Sequence, residues 1–233
     1  MAGTIPAAAT ETTAAGKRLL RNRPAARRLH AGLYLLTGFL LLSGLAVLGD
    51  GNRALEALLG GHVATARWHR WVGFCLLGLG ILVAVFRRRA SSWFLAQSVR
   101  FRRQDLGWFA RYPGFLLRPS RHAPAPHDGH FDPGQRAFNL VVVVSLVILA
   151  ATGAVMSFPD RFIPAAFAAS LRIHGAATWV LAVAVAGHLL VTSGVLRGYR
   201  GVWRAMHRDG RVTAGLAELL WPKWAREERD RPA

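Results

Sequence analysis

The chain has 233 residues, of which 52% are hydrophobic, and 30 Lys and Arg against 12 Asp and Glu give a formal net charge of +18. Apolar and cationic residues in these proportions must be segregated along the chain, which excludes an ordinary soluble domain with an evenly mixed surface. The single cysteine, Cys75, excludes an intrachain disulfide, a Cys-ligated iron–sulfur cluster and covalent haem attachment through C-x-x-C-H.

The Ala/Thr-rich start has no apolar run before the first basic cluster, so no cleavable secretory signal is expected, and residues 1–26 read as a disordered tail. Four stretches then follow that contain no Asp, Glu, Lys or Arg: Ala31 to Gly49, Trp71 to Phe86, Ala137 to Pro159 and Ile173 to Leu196. A hydrocarbon core of about 30 Å needs roughly 17 to 25 apolar residues as helix. The second stretch reaches that length when Trp68 and His69 extend it. The expectation is an all-α integral membrane protein, a four-transmembrane-helix bundle with helices at about 29–49, 68–87, 136–158 and 172–197. The bundle occupies a single membrane domain over 27–227, with a short tail over 228–233. Between spans two and three, Trp93, Phe94, Phe101, Trp108, Phe109, Tyr112 and Phe115 interleave with Arg, a pattern for an interfacial helix before a Pro/His-rich turn region around Pro119 to Pro133.

Only Lys17 and Lys223 among the 30 basic residues are lysine. Their placement separates membrane topology from nucleic-acid binding. Lys17, Arg18, Arg21, Arg23, Arg27 and Arg28 precede span one; Arg87, Arg88 and Arg89 follow span two; Arg197, Arg200 and Arg204 follow span four. The other two loops carry few cations. The positive-inside rule therefore predicts a multi-pass protein of the bacterial inner (cytoplasmic) membrane with both N- and C-termini cytoplasmic. The basic runs contact anionic lipid of the bilayer, and no nucleic-acid partner is expected.

Histidine carries the chemistry, because metal-binding side chains inside spans are costly and mark sites. His30 and His188 lie towards the cytoplasmic side of spans one and four, while His69 and His174 lie at the opposite entries of spans two and four. Fourteen residues separate His174 from His188, about 21 Å along a helix and within about 40° of one face. One helix thus offers ligands at two depths. His69 pairs with His174 in an outer layer and His30 with His188 in an inner one, a pattern for two haem b groups whose irons are His-ligated on both sides. Both axial positions are then filled, which leaves electron transfer as the chemistry. Gly38, Gly44, Gly73, Gly78, Gly80 and Gly187 leave room for a flat macrocycle or for ordinary helix packing. Arg28, Arg70 and Arg172 stand beside the ligands as propionate partners or as headgroup anchors. The other histidines, His62, His122, His127, His130 and His207, are expected in solvent. A zinc site does not suit widely separated layers, and a haem-free membrane anchor or metal transporter is the rival from another class.

These residues resemble the cytochrome b gamma subunit of membrane-bound formate dehydrogenases, within the wider group of di-haem cytochromes b. The resemblance runs over roughly Arg27 to Glu227. It rests on the intervals from His30 to His69 and from His174 to His188, and on Arg211-Val-Thr-Ala-Gly followed by Pro222-Lys-Trp224. It implies that the four histidines are the axial ligands. It also implies a menaquinone or other quinone site near the inner haem, at His130-Phe-Asp-Pro-Gly-Gln-Arg136, where Gly134 and Gln135 match the family's Asn-x-Gly-Gln motif and Asp132 replaces its Asn. A carboxylate there can exchange a quinol proton, whereas Asp132-Pro133-Gly134 also reads as a turn and helix start. Ala31 stands where the family commonly has Trp. The implied partners are an iron–sulfur beta subunit and a molybdenum- or tungsten-containing alpha subunit. The chain itself would be a redox subunit and not the formate-oxidising one. Another quinone-linked dehydrogenase or hydrogenase, or a stand-alone cytochrome, would use the same chemistry.

Overall fold

The computed structural model describes residues 18–48, 53–124 and 126–230. In chain order these form strand β1 (Arg18–Leu20), helices α1 (Pro24–Val47), α2 (Arg53–Leu58), α3 (His62–Phe86), α4 (Arg88–Ser98), α5 (Gln104–Leu117), α6 (Pro133–Ser157), α7 (Pro164–Thr192) and α8 (Arg204–His207), strand β2 (Arg211–Thr213), and helices α9 (Ala214–Leu220) and α10 (Pro222–Arg229). Helices α1, α3, α6 and α7 are long and apolar enough to cross a membrane. All four begin earlier than hydropathy alone predicts. Pro24, Pro133 and Pro164 each occupy a first helical position, where the missing N–H costs nothing. The Ala-rich turns ahead of Trp68 and Arg172 continue the helix because alanine favours it whatever the hydropathy.

The chain divides into two compact units. The span unit comprises 29–96 and 138–187. In each span no more than 17% of the most apolar window is buried, and Leu35, Ile81, Val147 and Val183 are exposed. Apolar surface left uncovered in this way is what lipid covers. The buried hydroxyls are satisfied locally: Ser43, Thr65, Thr152 and Thr178 each donate to the carbonyl four residues back. A helix in hydrocarbon must meet its polar needs within itself in this manner.

The end unit comprises the described part of 1–28 with 97–137 and 188–233, and it has a packed core of its own. β1 pairs antiparallel with β2, Leu19 opposite Val212, and both side chains join Phe115, Tyr199, Leu220, Trp221 and Trp224 in one buried cluster. The stretch expected to be a tail through residue 26 is thus folded from Arg18 onward, because Leu19 has a core to enter. Residues 1–17 lie outside the described residues. The expected tail from 228 is likewise helical to Arg229. Gly198 passes beneath Phe115, where a Cβ would sit 2.6 Å from the ring, so only glycine lets the backbone approach this closely.

Candidate functional site

Within the span unit, His69 on α3 and His174 on α7 bring their ring centres to 6.3 Å, with an interplanar angle of 68°. Each ring has a hydroxyl at Nδ1, and His174 also bonds the Leu149 backbone. Nδ1 of His69 lies 2.9 Å from Ser43 Oγ, and Nδ1 of His174 lies 2.8 Å from Thr152 Oγ1. Ser43 donates its hydroxyl hydrogen to the Phe39 carbonyl at 2.7 Å, and Thr152 donates to the Ile148 carbonyl at 2.7 Å. A hydroxyl has one hydrogen to give, so both accept from the imidazole, which puts the proton on Nδ1 and leaves Nε2 as a free base. The residue after each hydroxyl is glycine. A Cβ at Gly44 would meet His69 Cε1 at 3.2 Å, and one at Gly153 would meet His174 Cε1 at 3.5 Å.

Two imidazole–metal bonds of about 2 Å on opposite sides of one metal separate the ring centres by roughly 6 Å. The His69–His174 pair fits. Among the described residues no group of three or more His, Cys, Asp or Glu side chains could hold a metal ion. A macrocycle would supply the remaining donors to a metal held by these two nitrogens. A Cβ at Gly38, Gly78 or Gly80 would meet nothing within 4 Å, so these three are not glycines for the sake of close helix packing.

The other proposed layer is distributed differently. His30 belongs to the span unit, with its ring centre 5.8 Å from that of Tyr34. His188 belongs to the end unit, its carbonyl accepting from the Thr192 hydroxyl at 2.7 Å. Arg28, Arg70 and Arg172 are all exposed.

The segment from His130 to Arg136 lies in the end unit. Asp132 caps α6: its Oδ1 accepts from the Gln135 N–H at 2.8 Å, with Pro133 next in the first helical position. Gly134 is pressed on by Trp108, whose ring would stand 2.8 Å from a Cβ there. Arg136 is buried and forms a two-pronged pair with Asp105 at 3.0 and 3.3 Å. Asp132-Pro133-Gly134 is therefore a helix start, Asp132 as its cap and Pro133 and Gly134 as its first two residues.

Asp132 also sits among titratable groups. Protein surrounds it closely although part of its surface remains accessible, and this burial pushes its carboxyl upward, against the Gln135 N–H and the positive charges of His127, Arg21 and Arg136. Tyr199 donates to the Tyr112 hydroxyl at 3.1 Å; burial raises both phenols, and the Asp132 charge adds to it. Arg21 is clamped between Trp221 and Trp224, 4.4 and 4.5 Å from their ring centres, donates to the His130 carbonyl at 2.8 Å, and is lowered to about 10 by burial. His127 is buried, not solvated as expected, because its Nε2–H donates to the Leu220 carbonyl at 2.9 Å. His130 is also largely covered, and burial with the Arg21 charge lowers it to about 3.

Residues 21–208 match the family model described as prokaryotic cytochrome b561. The chain belongs to that family. A search of curated proteins finds none that matches. Prokaryotic cytochromes b561 are membrane proteins of haem b electron transfer, and the four spans and the paired histidines agree with that. The match establishes a b-type cytochrome and does not single out the formate dehydrogenase gamma subunit. β1, β2, α9 and α10 lie outside the matched stretch, so the strand pair and the terminal helices are additions to the part that matches the family model.

Hydropathy and histidine spacing did not reveal Ser43, Thr152 and Gly153 in this cytochrome. A signal was present: a hydroxyl residue followed by glycine in the spans that lack the outer histidines. The buried state of His127 had no such signal, since it depends on Leu220, 93 residues away.

Proposed function

We propose that this b561-family protein is the membrane-embedded electron-transfer subunit of a formate dehydrogenase-like complex, holding two haem b groups and passing electrons from an iron–sulfur subunit to quinone at the cytoplasmic side. The observation that carries the reading is the His69–His174 pair, 6.3 Å between ring centres, with both Nδ1 atoms tied to hydroxyls. Haem b, held by these histidines, would supply a one-electron centre. The chain's own residues do the rest. His69 and His174 present Nε2 from α3 and α7 for the outer group, and His30 and His188 are the proposed ligands of the inner one. Arg28, Arg70 and Arg172 are the proposed partners of the propionates.

Asp132, Gly134 and Gln135 are the proposed quinone segment. Its raised carboxyl makes Asp132 a proton carrier: the neutral acid gives its proton to a quinone oxygen, and the carboxylate takes another from the cytoplasmic side. With donor and quinone at opposite faces, each electron crossing contributes about 2.3 kcal/mol per 100 mV of membrane potential.

The family match favours one second reading, a cytochrome b serving another quinone-linked dehydrogenase or hydrogenase. Purification in mild detergent separates the two. Co-isolation of a molybdenum- or tungsten-containing subunit with formate:quinone activity supports the first reading, and a different catalytic subunit replaces it with the second. In the intact complex, Asp132→Asn is expected to slow quinone reduction and remove its decline at high pH; an unchanged pH profile would take the quinone role from Asp132.

A further inference from the structure

His69 and His174 are held by two matching two-residue units, Ser43-Gly44 on α1 and Thr152-Gly153 on α6. In each unit the glycine admits the ring edge and the hydroxyl takes the Nδ1 proton. We infer that Ser43 and Thr152 are positioning residues that set the tautomer and the donor strength of His69 and His174, and through them the reduction potential of the iron group that this pair holds. The inference rests on the haem reading above.

The partner of the non-ligating nitrogen governs how strongly an imidazole donates to a metal. A carboxylate partner draws the Nδ1 proton away and pushes the ligand towards imidazolate, which favours ferric iron. A hydroxyl whose own hydrogen is already given to a carbonyl is a neutral, weaker acceptor. It fixes the ring without adding charge. Both hydroxyls here are of this kind, and both residues are buried, with relative exposures of 0% for Ser43 and 8% for Thr152, so water does not compete freely for the bond. No anionic substitute stands nearby in sequence: α1, α3, α6 and α7 contain no Asp or Glu. The spans therefore present two neutral imidazoles with matched neutral partners. Thr152 and Ser43 do this with different side chains that share an accepting hydroxyl one residue before a glycine.

The arrangement also fixes geometry. Both hydroxyls are anchored to their own helices through the carbonyl four residues back, so the imidazole cannot rotate about its Cβ–Cγ bond without losing its partner. Loss of the hydroxyl loosens the ring, His69 more than His174, which keeps its bond to the Leu149 backbone, and lowers its basicity, and both effects would act on the iron without touching the ligating nitrogen.

The test uses the purified holo-protein in lipid nanodiscs, with optical redox titration of the b bands and the low-spin ferric EPR spectrum. In Ser43→Ala/Thr152→Ala, one of the haem components is expected to titrate at a higher potential than in the wild type, with an altered EPR anisotropy, while any other component keeps its value. Ser43→Thr and Thr152→Ser, which keep the hydroxyl, are expected to behave as wild type. If the double variant fails to retain haem, the single variants Ser43→Ala and Thr152→Ala carry the test, each with a smaller upward shift. Haem-replete variants with wild-type potentials and wild-type EPR would overturn the inference and leave the haem reading intact. A wild-type protein without haem b would overturn both.

Discussion

The buried hydroxyls of the span unit and the buried side-chain nitrogens of the end unit are met in different ways. In the span unit the hydroxyls of Ser43, Thr65, Thr152 and Thr178 are bonded within their own helices, and two of them go on to hold an imidazole. In the end unit, Arg21 Nη1, His127 Nδ1 and Trp221 Nε1 are buried without a hydrogen-bond partner among the described residues, and Arg21 and His127 act on the Asp132 carboxyl, whose proton affinity burial raises. A span surrounded by hydrocarbon has no water to repair an unmet donor, so its polar atoms must be satisfied locally. The end unit keeps its unmet groups at a cost of about 1–3 kcal/mol each.

The sharpest way to break this comparison is to remove an imidazole. His69→Ala or His174→Ala is expected to abolish the haem proposed for this pair while limited proteolysis shows the end unit still folded; loss of protection in both would mean that the units do not behave separately. Next in size is the buried Asp105–Arg136 pair. Asp105→Ala leaves a buried guanidinium unpaired and should destabilise the end unit by about 3–5 kcal/mol, read by denaturant unfolding of Trp fluorescence, without loss of the His69–His174 haem.

Gly134→Ala drives a Cβ into Trp108 and should cost about 1–3 kcal/mol by overpacking. Melting at the wild-type temperature would contradict the contact. The smallest expected effect is the acid limb. His130 is held neutral, lowered from an ordinary 6.5 to about 3 by burial and by Arg21. Its contribution to stability is therefore complete above pH 6.5 and lost as pH falls towards 3. His130→Gln should flatten the acid limb of a pH–stability profile, whereas a parallel curve would show that His130 does not titrate there.

Much of the span unit was legible in the sequence, because hydropathy and ligand spacing are local properties of one helix. His69 and His174 fell at one level simply from where each lies in its span. The helix starts at His62 and Pro164 were not legible, since polar or Ala-rich first turns look the same inside and outside a membrane. The end unit was the harder part. Arg18 to Leu20 read as tail because its partner strand begins almost two hundred residues later, at Arg211, and nothing in three residues announces a pairing at that distance. The Asp105–Arg136 pair and the Leu220 carbonyl over His127 were hidden for the same reason. At Asp132 the motif and the bland reading proved compatible: the residue caps α6, and the same position surrounds its carboxyl with charge.

Haem content is the most direct measure of the two proposed histidine pairs. Pyridine haemochrome quantitation of the purified chain, alone and as His188→Ala, is expected to give two haem b per chain in the wild type and one in the variant, with the low-spin bis-imidazole EPR signal of the His69–His174 site retained. A wild-type chain without haem b, or a His188→Ala chain that still holds two, would contradict it.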